Sequence, residues 1–401
     1  MKRYLTRGLS ILMAILIMLS SIQLPLFAES TALLTENPTT DTQSILPDDA
    51  PSLAAKSAVL IEESTGKILY AANAHEALPP ASVTKIMLLL LVMEAIENGQ
   101  VKLDDTVTTS ANAASMGGSQ VYLKEGEQMR LEDMLKSVII ASANDAAVAL
   151  AEHLCGSVSS FVAKMNQKAE QLGMKNTCFE NVTGLDDTAE GHLTSAYDIA
   201  LMSRALIAHK KILEYSSIWM DTIRNGEFGL TNTNRLVRFY QGCTGLKTGS
   251  TSKAGFCVSA TAKRGNLSLI CVIMGSESRD ARNAQATALL DWGFATFDLL
   301  QSPSEAVGEI DVIRGRTSKC ALVADPFSCV IRKSVSKAIE KKVEMPNALE
   351  APIKAGDAVG KIIYRCGGEV IGECVIRASE SVEILNYFDI IKRMLARFLL
   401  I

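Results

Sequence analysis

Histidine is scarce in this sequence, and no two cysteines have the spacing of a metal or redox motif. The four histidines, His75, His153, His192 and His209, are far apart along the chain, so a histidine-rich metal centre is not expected. The nine cysteines contain no Cys-x-x-Cys pair, which is a common spacing in zinc and redox sites. Their odd number also means that they cannot all pair within the chain. These absences argue against a histidine-rich metal centre and against a Cys-x-x-Cys zinc or redox site.

An excess of positive charge is also absent. Lys and Arg total 40 against 44 Asp and Glu, a net charge of −4, whereas a nucleic-acid-binding protein needs a basic face. Hydrophobic residues make up 48% of the 401 residues and charged residues 21%, so the chain can bury a sizeable core. This length allows about two or three domains. We therefore expect a folded protein with more than one domain and no nucleic-acid partner.

The first 28 residues have the pattern of an export signal. Three basic residues precede a mostly apolar stretch from Leu9 to Leu24, and Ala28 is a small residue suited to cleavage. A single membrane anchor is the alternative, but the polar interruptions and Pro25 favour cleavage. Cleavage after residue 28 would leave 37 basic against 44 acidic residues, a net charge of −7. Residues 29–52 are rich in Thr, Asp, Ser and Pro and predict a linker, so we expect an exported protein.

The last stretch, residues 381–401, predicts an amphipathic helix. Apolar residues recur there at helical spacing, at Ile384, Leu385, Phe388, Ile391, Leu395, Phe398 and Leu399. Basic residues such as Lys392 and Arg393 interrupt the apolar run, so the helix is poorly suited to span a bilayer. It could lie in the membrane interface, or it could be an ordinary core helix of its own domain. Because export is predicted, we expect association with the outer face of the cytoplasmic membrane.

Between the two ends, strand patterns flank a block of helical patterns. The apolar runs that predict strands are 58–61, 68–70, 255–262 and 267–274. The patterns that predict helices include 82–96, 131–154 and 283–300. We therefore predict one domain at residues 53–300 whose sheet combines strands distant in the chain. After Pro303, short strand-like segments punctuated by Gly and Pro predict a small β-rich domain at residues 304–380.

Ser82 and Lys85 open a predicted helix that is apolar on every side from residue 86 to residue 93. A helix of this kind is usually buried, so a hydroxyl and an amine one turn apart at its start are unusual. A buried lysine can be partly neutral and act as the base for a serine nucleophile, and the helix start offers N–H groups to an oxyanion. A lone Ser-x-x-Lys more often marks a helix cap and a surface charge, so this motif does not assign a function by itself.

Two further short motifs follow, and each is common alone. Ser142-Ala143-Asn144 comes after an apolar run, and Ser-x-Asn is usually a turn. Lys247-Thr248-Gly249 lies just before the strand pattern at 255–262 and superficially suggests a phosphate-binding loop. The glycine spacing before Lys247 does not fit such a loop, and no helical pattern follows it. Neither motif has a clear meaning in isolation.

The combination is specific, because serine acyl-enzymes of the penicillin-binding proteins and class A β-lactamases carry the same three motifs in this order. The chain resembles in particular the low-molecular-mass penicillin-binding proteins, the D-alanyl-D-alanine carboxypeptidases of serine peptidase family S11. The resemblance spans about residues 58–377 and both termini, and the segments that carry it most clearly are 77–87, 142–147, 181–185, 194–198 and 245–249. It implies an α+β fold: a β-lactamase/transpeptidase-like catalytic domain with an antiparallel sheet and a helical subdomain, a small β-rich domain, and a C-terminal amphipathic helix.

The resemblance implies a mechanism that needs no metal or cofactor. Ser82 attacks the carbonyl of the D-Ala-D-Ala bond in a peptidoglycan stem peptide, and Lys85 takes the serine proton. Ser142 bridges Lys85 and Lys247 and relays a proton to the leaving amine. Asn144 holds a substrate amide and steadies Lys85. β-Lactam antibiotics acylate the same Ser82 and are expected inhibitors.

The resemblance also implies a binding site for the substrate's terminal carboxylate. Lys247 and Thr248 contribute to it, together with Arg282, which lies ten residues before Trp292, where the family's carboxylate-binding arginine falls. Arg279 is the competing candidate.

The resemblance also implies an oxyanion hole formed by the backbone N–H groups of Ser82 and Ser250. Gly249, the last residue of Lys-Thr-Gly, is assigned to the same substrate-binding surface. Ser250 stands where relatives often carry a different residue, so its backbone role is retained but rates can differ.

Two other functions are open on the sequence alone. A β-lactamase would need a Glu-activated water to clear the acyl-enzyme, but the region of Glu180 and Glu190 has no Glu-x-x-x-Asn arrangement. A non-catalytic wall-binding scaffold on the same fold would have no need to keep all the motif residues. Release of D-alanine from a pentapeptide stem would separate the three.

Overall fold

The computed structural model describes residues 44–185 and 189–398, without the side chains of 335–337 and 396–397. The predicted export signal 1–28 and the first part of the predicted linker, to residue 43, lie outside the described residues, as do residues 186–188 and 399–401.

A central antiparallel sheet organises the first part of the chain. The strands described up to residue 276 are β1 (Ser57–Glu62), β2 (Ile68–Ala72), β3 (Thr106–Thr108), β4 (Gln128–Arg130), β5 (Met220–Ile223), β6 (Phe228–Thr231), β7 (Cys243–Thr251), β8 (Gly255–Arg264) and β9 (Leu267–Ser276). Five of them form the sheet in the order β2-β1-β9-β8-β7, and each neighbouring pair is antiparallel. Strands from distant parts of the chain thus share one sheet, as the sequence predicted.

Helices cover the sheet. Those described up to residue 296 are α1 (Lys85–Glu97), α2 (Ala111–Ala114), α3 (Leu131–Ile140), α4 (Asn144–Cys155), α5 (Val158–Gln171), α6 (Ala196–Ala208), α7 (Lys211–Ser216), α8 (Leu236–Phe239) and α9 (Arg279–Thr296). Val59 and Ile61 of β1 enter the core shared with α1 and α3–α6, whereas the alternate residue Leu60 packs with α9. Side chains alternate across a strand, so this sheet is buried on both faces and forms the middle layer.

One predicted helix is wrong: the pattern at 131–154 forms two helices. α3 ends at Ile140 and α4 begins at Asn144. Ser142 lies between them with φ 63°, in the left-handed region that interrupts a right-handed helix. The break brings the Ser142–Asn144 motif to the start of α4, which periodicity alone could not indicate.

A second predicted helix, 283–300, is also wrong at both ends. α9 begins at Arg279, because the Ser278 side chain caps it by accepting a hydrogen bond from the N–H of Ala281. It ends at Thr296, and β10 (Phe297–Ser302) follows. β10 pairs with a strand further along the chain, so a tertiary contact overrides the local helical pattern.

The C-terminal region is mainly β-structure. After β10 its strands are β11 (Glu305–Ile313), β12 (Lys319–Ala324), β13 (Phe327–Arg332), β14 (Ile339–Glu344), β15 (Ala348–Glu350), β16 (Ala358–Cys366) and β17 (Glu369–Ala378). β13 pairs with β10, and the others form a sheet in the order β14-β16-β17-β12-β11-β15. Tyr364 is fully buried and stacks on Phe327. The predicted α+β fold followed by a β-rich region is confirmed.

The last described helix is α10 (Tyr387–Phe398), which is shorter than the predicted span of 381–401. Val382 is buried and pairs with Ile353 in extended structure, so the segment before residue 387 is not helical. Within residues 44–185 and 189–398, no single helix combines the length and hydropathy of a membrane span; α4 and α5 do so only as a pair bent by 85°.

Candidate active site

Ser82 and Lys85 lie one turn apart at the start of α1. A 3-10 turn, Ala81–Thr84, leads into the helix, and the Lys85 Nζ donates a hydrogen bond of 2.9 Å to the Ser82 Oγ. Lys85 is fully buried because the helix behind it packs into the core on every side. The hydroxyl and the amine predicted from the sequence are therefore in direct contact, and Lys85 is not a surface charge.

The surroundings of Lys85 favour its neutral form. Burial is the main cause that lowers its pKa well below the ordinary value, and the positive charge of Lys247 lowers it further, while Asp145 opposes them. The Nζ also donates to the backbone carbonyl of Thr183 at 2.7 Å. Because its pKa is lowered, Lys85 can more readily be neutral and accept a proton from a serine hydroxyl.

The loop 181–185 is folded by its own first side chain. The Oδ1 of Asn181 accepts hydrogen bonds from the N–H groups of Thr183 and Gly184, and its Nδ2 donates to the carbonyl of Leu185. Gly184 has φ +82°, and a Cβ at this position would lie 1.8 Å from the carbonyl oxygen of Ala81. Only glycine fits this contact, which presses the loop against the turn that carries Ser82.

Lys247, Thr248 and Gly249 lie just before the predicted strand, which is β8, and they are themselves part of β7, the edge strand of the main sheet. Lys247 is fully buried, and burial together with the charge of Arg282 lowers its pKa to about 7. Its Nζ donates to the carbonyl of Thr248, and the hydroxyl of Thr248 donates to that of Thr233 at 2.9 Å. This edge of the sheet therefore presents an amine and a hydroxyl beside Lys85.

Gly249 lets β7 approach the start of α1. A Cβ on this residue would lie 2.7 Å from the backbone nitrogen of Ser82 and 2.9 Å from the carbonyl oxygen of Pro80. Any larger residue would push the strand away from the helix. Ser250 follows on the same strand and is exposed.

Ser142 lies in the connection between α3 and α4, Asn144 is the first residue of α4, and both are buried. The Asn144 Nδ2 donates to the carbonyl of Gly117 at 2.7 Å, and its Oδ1 is buried with no hydrogen-bond partner among the described residues. The structure gives Ser142 no hydrogen bond within the described part of the chain, and Asn144 none to Lys85. The predicted bridge from Ser142 to the two lysines is thus not formed in this state.

Of the two candidate arginines, Arg282 lies inside the site and Arg279 outside it. Arg282 is 3% exposed on α9, and its Nη1 is 3.4 Å from the carbonyl oxygen of Cys257. Its charge acts directly on Lys247, and burial lowers the pKa of Arg282 itself to about 10. Arg279, the first residue of α9, is exposed.

Two contacts at this site were not predicted from the sequence. One is the carbonyl of Thr183, because a backbone group has no signature of its own. The other is the buried carboxylate of Asp145, which accepts hydrogen bonds from the N–H groups of Val121 and Leu123. Asp145 thus holds the same segment, around residues 117–123, whose Gly117 carbonyl accepts from Asn144. Its position directly after the Ser142–Asn144 motif is the sequence signal that could have identified it.

These groups together can carry out acyl transfer. The site combines a hydroxyl nucleophile, an amine that can be neutral, and a cluster of positive charge suited to a carboxylate. The charge cluster is buried, so an anionic substrate would interact with it strongly.

Comparisons with known proteins point to one family. The sequence profile of the peptidase S11 family, described as D-alanyl-D-alanine carboxypeptidase, matches residues 44–278, and that of the penicillin-binding protein 5 C-terminal domain matches residues 294–384. The D-alanyl-D-alanine carboxypeptidase DacF of Bacillus subtilis is 43% identical over 346 residues, covering 84% of this chain and 88% of the relative.

Solved structures show the same similarity. Penicillin-binding protein 5 from Haemophilus influenzae is 31% identical with a TM-score of 0.74, over 84% of this chain and 99% of that one. Penicillin-binding protein D2 from Listeria monocytogenes, solved in an ampicillin-bound form, is 31% identical with a TM-score of 0.56, over 61% of this chain and 100% of that one. With a family profile across more than half its length and relatives of this identity, the chain belongs to the S11 family of serine D-alanyl-D-alanine carboxypeptidases.

Proposed function

We propose that the protein removes the terminal D-alanine from peptidoglycan stem peptides through an acyl-enzyme on Ser82. The observation that carries this proposal is the 2.9 Å contact between the Ser82 hydroxyl and a fully buried Lys85 whose pKa is lowered. Lys85 takes the serine proton as the oxygen attacks the carbonyl of the D-Ala-D-Ala bond. Water then hydrolyses the ester and regenerates the serine, and the chemistry needs no metal or cofactor.

The carboxylate of the terminal D-alanine is proposed to bind at β7. Lys247 and Arg282 supply buried positive charge, and Thr248 supplies a hydroxyl on the same strand. Arg282 is preferred to Arg279 because it is buried beside Lys247, whereas Arg279 is exposed. The charge of Lys247 also favours the neutral form of Lys85, so substrate binding and base activation share this lysine.

The oxyanion is proposed to bind between the N–H groups of Ser82 and Ser250. The close approach of Gly249 to the nitrogen of Ser82 supports this, because it brings the two backbones within reach of one oxygen atom. Asn144 is proposed to hold a substrate amide, since its buried Oδ1 has no partner in the described residues and can accept an N–H. Ser142 is proposed to relay a proton to the leaving amine once bound substrate bridges the distance between its hydroxyl and the two lysines.

β-Lactams are proposed to acylate the same serine. The ampicillin-bound relative supports this, because it shares the fold around the site. The test is to incubate the mature protein with a pentapeptide stem ending in D-Ala-D-Ala and with a fluorescent penicillin. We expect D-alanine release and slow loss of the penicillin label. Rapid penicillin turnover without D-alanine release would point to a β-lactamase, and neither reaction would point to a scaffold.

Replacing Lys247 by Met should move the acid limb of the pH–rate profile to higher pH. The positive charge of Lys247 helps to lower the pKa of Lys85, so without it that pKa rises and the amine becomes neutral only at higher pH. We expect a shift of about 1 pH unit in the rate of penicillin acylation. The exposed Lys263 on β8 is the matched control, and K263M should leave the limb in place. An unshifted limb in K247M would contradict the electrostatic role.

We further propose that the protein is exported and held at the outer face of the cytoplasmic membrane. The proposed organisation is a signal at 1–28, a linker at 29–52, a catalytic domain at 53–300, a β-rich domain at 304–380 and a membrane-associating helix within 381–401. Support comes from α10, on which the apolar side chains are exposed, among them Phe388 at 80% and Phe398 at 86%. Its polar residues Asp389 and Arg393 instead contact Arg316. A core helix would have the opposite orientation.

The double variant F388S/F398S should weaken membrane binding by about 10-fold or more, because each phenylalanine can bury a large apolar area in the interface. Co-sedimentation of the mature protein with vesicles of phosphatidylethanolamine and phosphatidylglycerol would measure this. F239S removes a phenylalanine that is 71% exposed on α8 and serves as the control. Equal vesicle binding by the double variant and the control would contradict the proposed role of α10 in membrane association.

A further inference from the structure

The residue before the nucleophile has an unfavourable backbone conformation. Ala81 has φ 49°, in the left-handed region, which is uncommon for a residue with a Cβ. The next residue, Ser82, lies close to β7, since a Cβ on Gly249 would be 2.7 Å from its backbone nitrogen. Such a conformation at Ala81 persists only where the surroundings hold it. The groups that hold the Ala81 carbonyl therefore influence the position of Ser82.

A chain of hydrogen bonds ends on that carbonyl. The Thr84 hydroxyl donates to the Ala81 oxygen at 2.8 Å, and its Oγ1 lies 2.7 Å from the Nε2 of His192. The Nδ1 of His192 accepts the backbone N–H of Glu180 at 2.9 Å. His192 is 2% exposed and Thr84 is fully buried.

The hydrogen-bond directions determine the protonation state of the imidazole. Because Nδ1 accepts an N–H, it carries no proton. The single proton of the Thr84 hydroxyl is used toward Ala81, so its oxygen must accept, and Nε2 of His192 must donate. The chain thus runs in one direction, from the N–H of Glu180 through a neutral imidazole to the carbonyl of Ala81.

We propose that His192 is a positioning residue for the acylation step, acting through Thr84 on the backbone of Ala81 and so on the nucleophile and the N–H of Ser82. This inference rests on the proposed function of Ser82. His192 lies in the same connection as the loop 181–185, which binds the Lys85 amine through Thr183 and presses on Ala81 through Gly184. One connecting segment therefore holds the base directly and the nucleophile through a histidine and a threonine.

The expected effect falls on the turnover step rather than on substrate binding. Replacing His192 by Phe removes both hydrogen bonds of the ring while keeping an aromatic side chain. Because small displacements of a nucleophile are costly, we expect kcat for D-alanine release and the rate of penicillin acylation to fall about 10- to 100-fold. KM should change less than about 3-fold, because the carboxylate site on β7 is untouched.

Two companion variants separate positioning from a general loss of structure. In H192Q the side-chain oxygen can accept from Glu180 and the nitrogen can donate to Thr84, so this variant should recover most of the lost rate. T84V removes the hydroxyl but keeps the shape, and it should reproduce the loss seen in H192F, whereas T84S should not. The double variant H192F/T84V should lose no more than either single variant, because both interrupt one chain.

The experiment measures kcat, KM, penicillin acylation and the melting temperature for these variants alongside the wild type and H153F, whose histidine is exposed on α4. Absence of labelling in the wild type would refute the proposed function itself. With a labelled wild type, wild-type rates in H192F, or additive losses in the double variant, would overturn the role of His192. If H192F does not fold, T84V and T84S decide the question in the same way.

Discussion

Replacing Ser82 by Ala is expected to lower both penicillin labelling and D-alanine release by about 10⁴-fold or more. In the proposed mechanism the Ser82 oxygen forms the acyl bond, and no other described hydroxyl accepts a hydrogen bond from the Lys85 amine. Water would have to attack without a covalent intermediate, which is the slower route the enzyme avoids. The measurement is time-resolved labelling with fluorescent penicillin, followed by mass spectrometry of the intact protein.

The variant should remain folded. Ser82 is only partly buried, and Lys85 keeps its hydrogen bond to the carbonyl of Thr183 when the serine hydroxyl is removed. A melting temperature close to that of the wild type is therefore expected. Ser159 is exposed on α5, and S159A is the matched control that should label normally. A covalent penicillin adduct on folded S82A would show that another residue is the nucleophile.

Replacing Lys85 by Met should lower the acylation rate by about 10²- to 10⁴-fold, the range expected for loss of a general base. Methionine fits the buried space without an amine that must be desolvated, so folding should be preserved. The pH profile of the residual acylation rate should lose its acid limb, because the Lys85 amine, whose titration is proposed to produce that limb, is absent. The pH dependence of acylation from pH 5 to pH 10 would measure both effects.

Lys85→Arg is a sharper version of the same test. Arginine retains a positive charge at all relevant pH values, so it can contact Ser82 but cannot accept its proton. We expect K85R to be as slow as K85M, whereas K164M, which changes an exposed lysine on α5, should be normal. Substantial activity in K85R would show that a positive charge, not a base, is what Ser82 requires.

Much of the site could be predicted because its signals are local. Ser82 and Lys85 are three residues apart, and a hydroxyl and amine at that spacing must meet on any helical turn. The order of the three motifs then identified the family, which the profile match at residues 44–278 confirms. The boundaries of helices were less predictable, as at residues 131–154, where the left-handed conformation of Ser142 splits one pattern into two helices.

The missed features depend on contacts between distant residues. The edge strand β7 was not predicted, since its Gly-Thr-Ser composition is typical of a loop and only pairing with β8 makes it a strand. Thr183 contacts Lys85 across 98 residues of sequence through a backbone carbonyl, which no side-chain pattern reveals. His192 reaches Thr84 across 108 residues, and as a lone histidine it gave no signal of its own.

The sequence by itself determined the family and predicted the nucleophile and its neighbouring base, because those depend on residue type and on spacings within a few turns. Only the tertiary structure decided what surrounds them. It places Arg282 rather than Arg279 beside Lys247, buries both lysines so that their pKa values fall, and leaves Phe388 and Phe398 of α10 exposed. Burial and long-range contact set local charge and exposure, and these are properties of the packed chain rather than of any single segment.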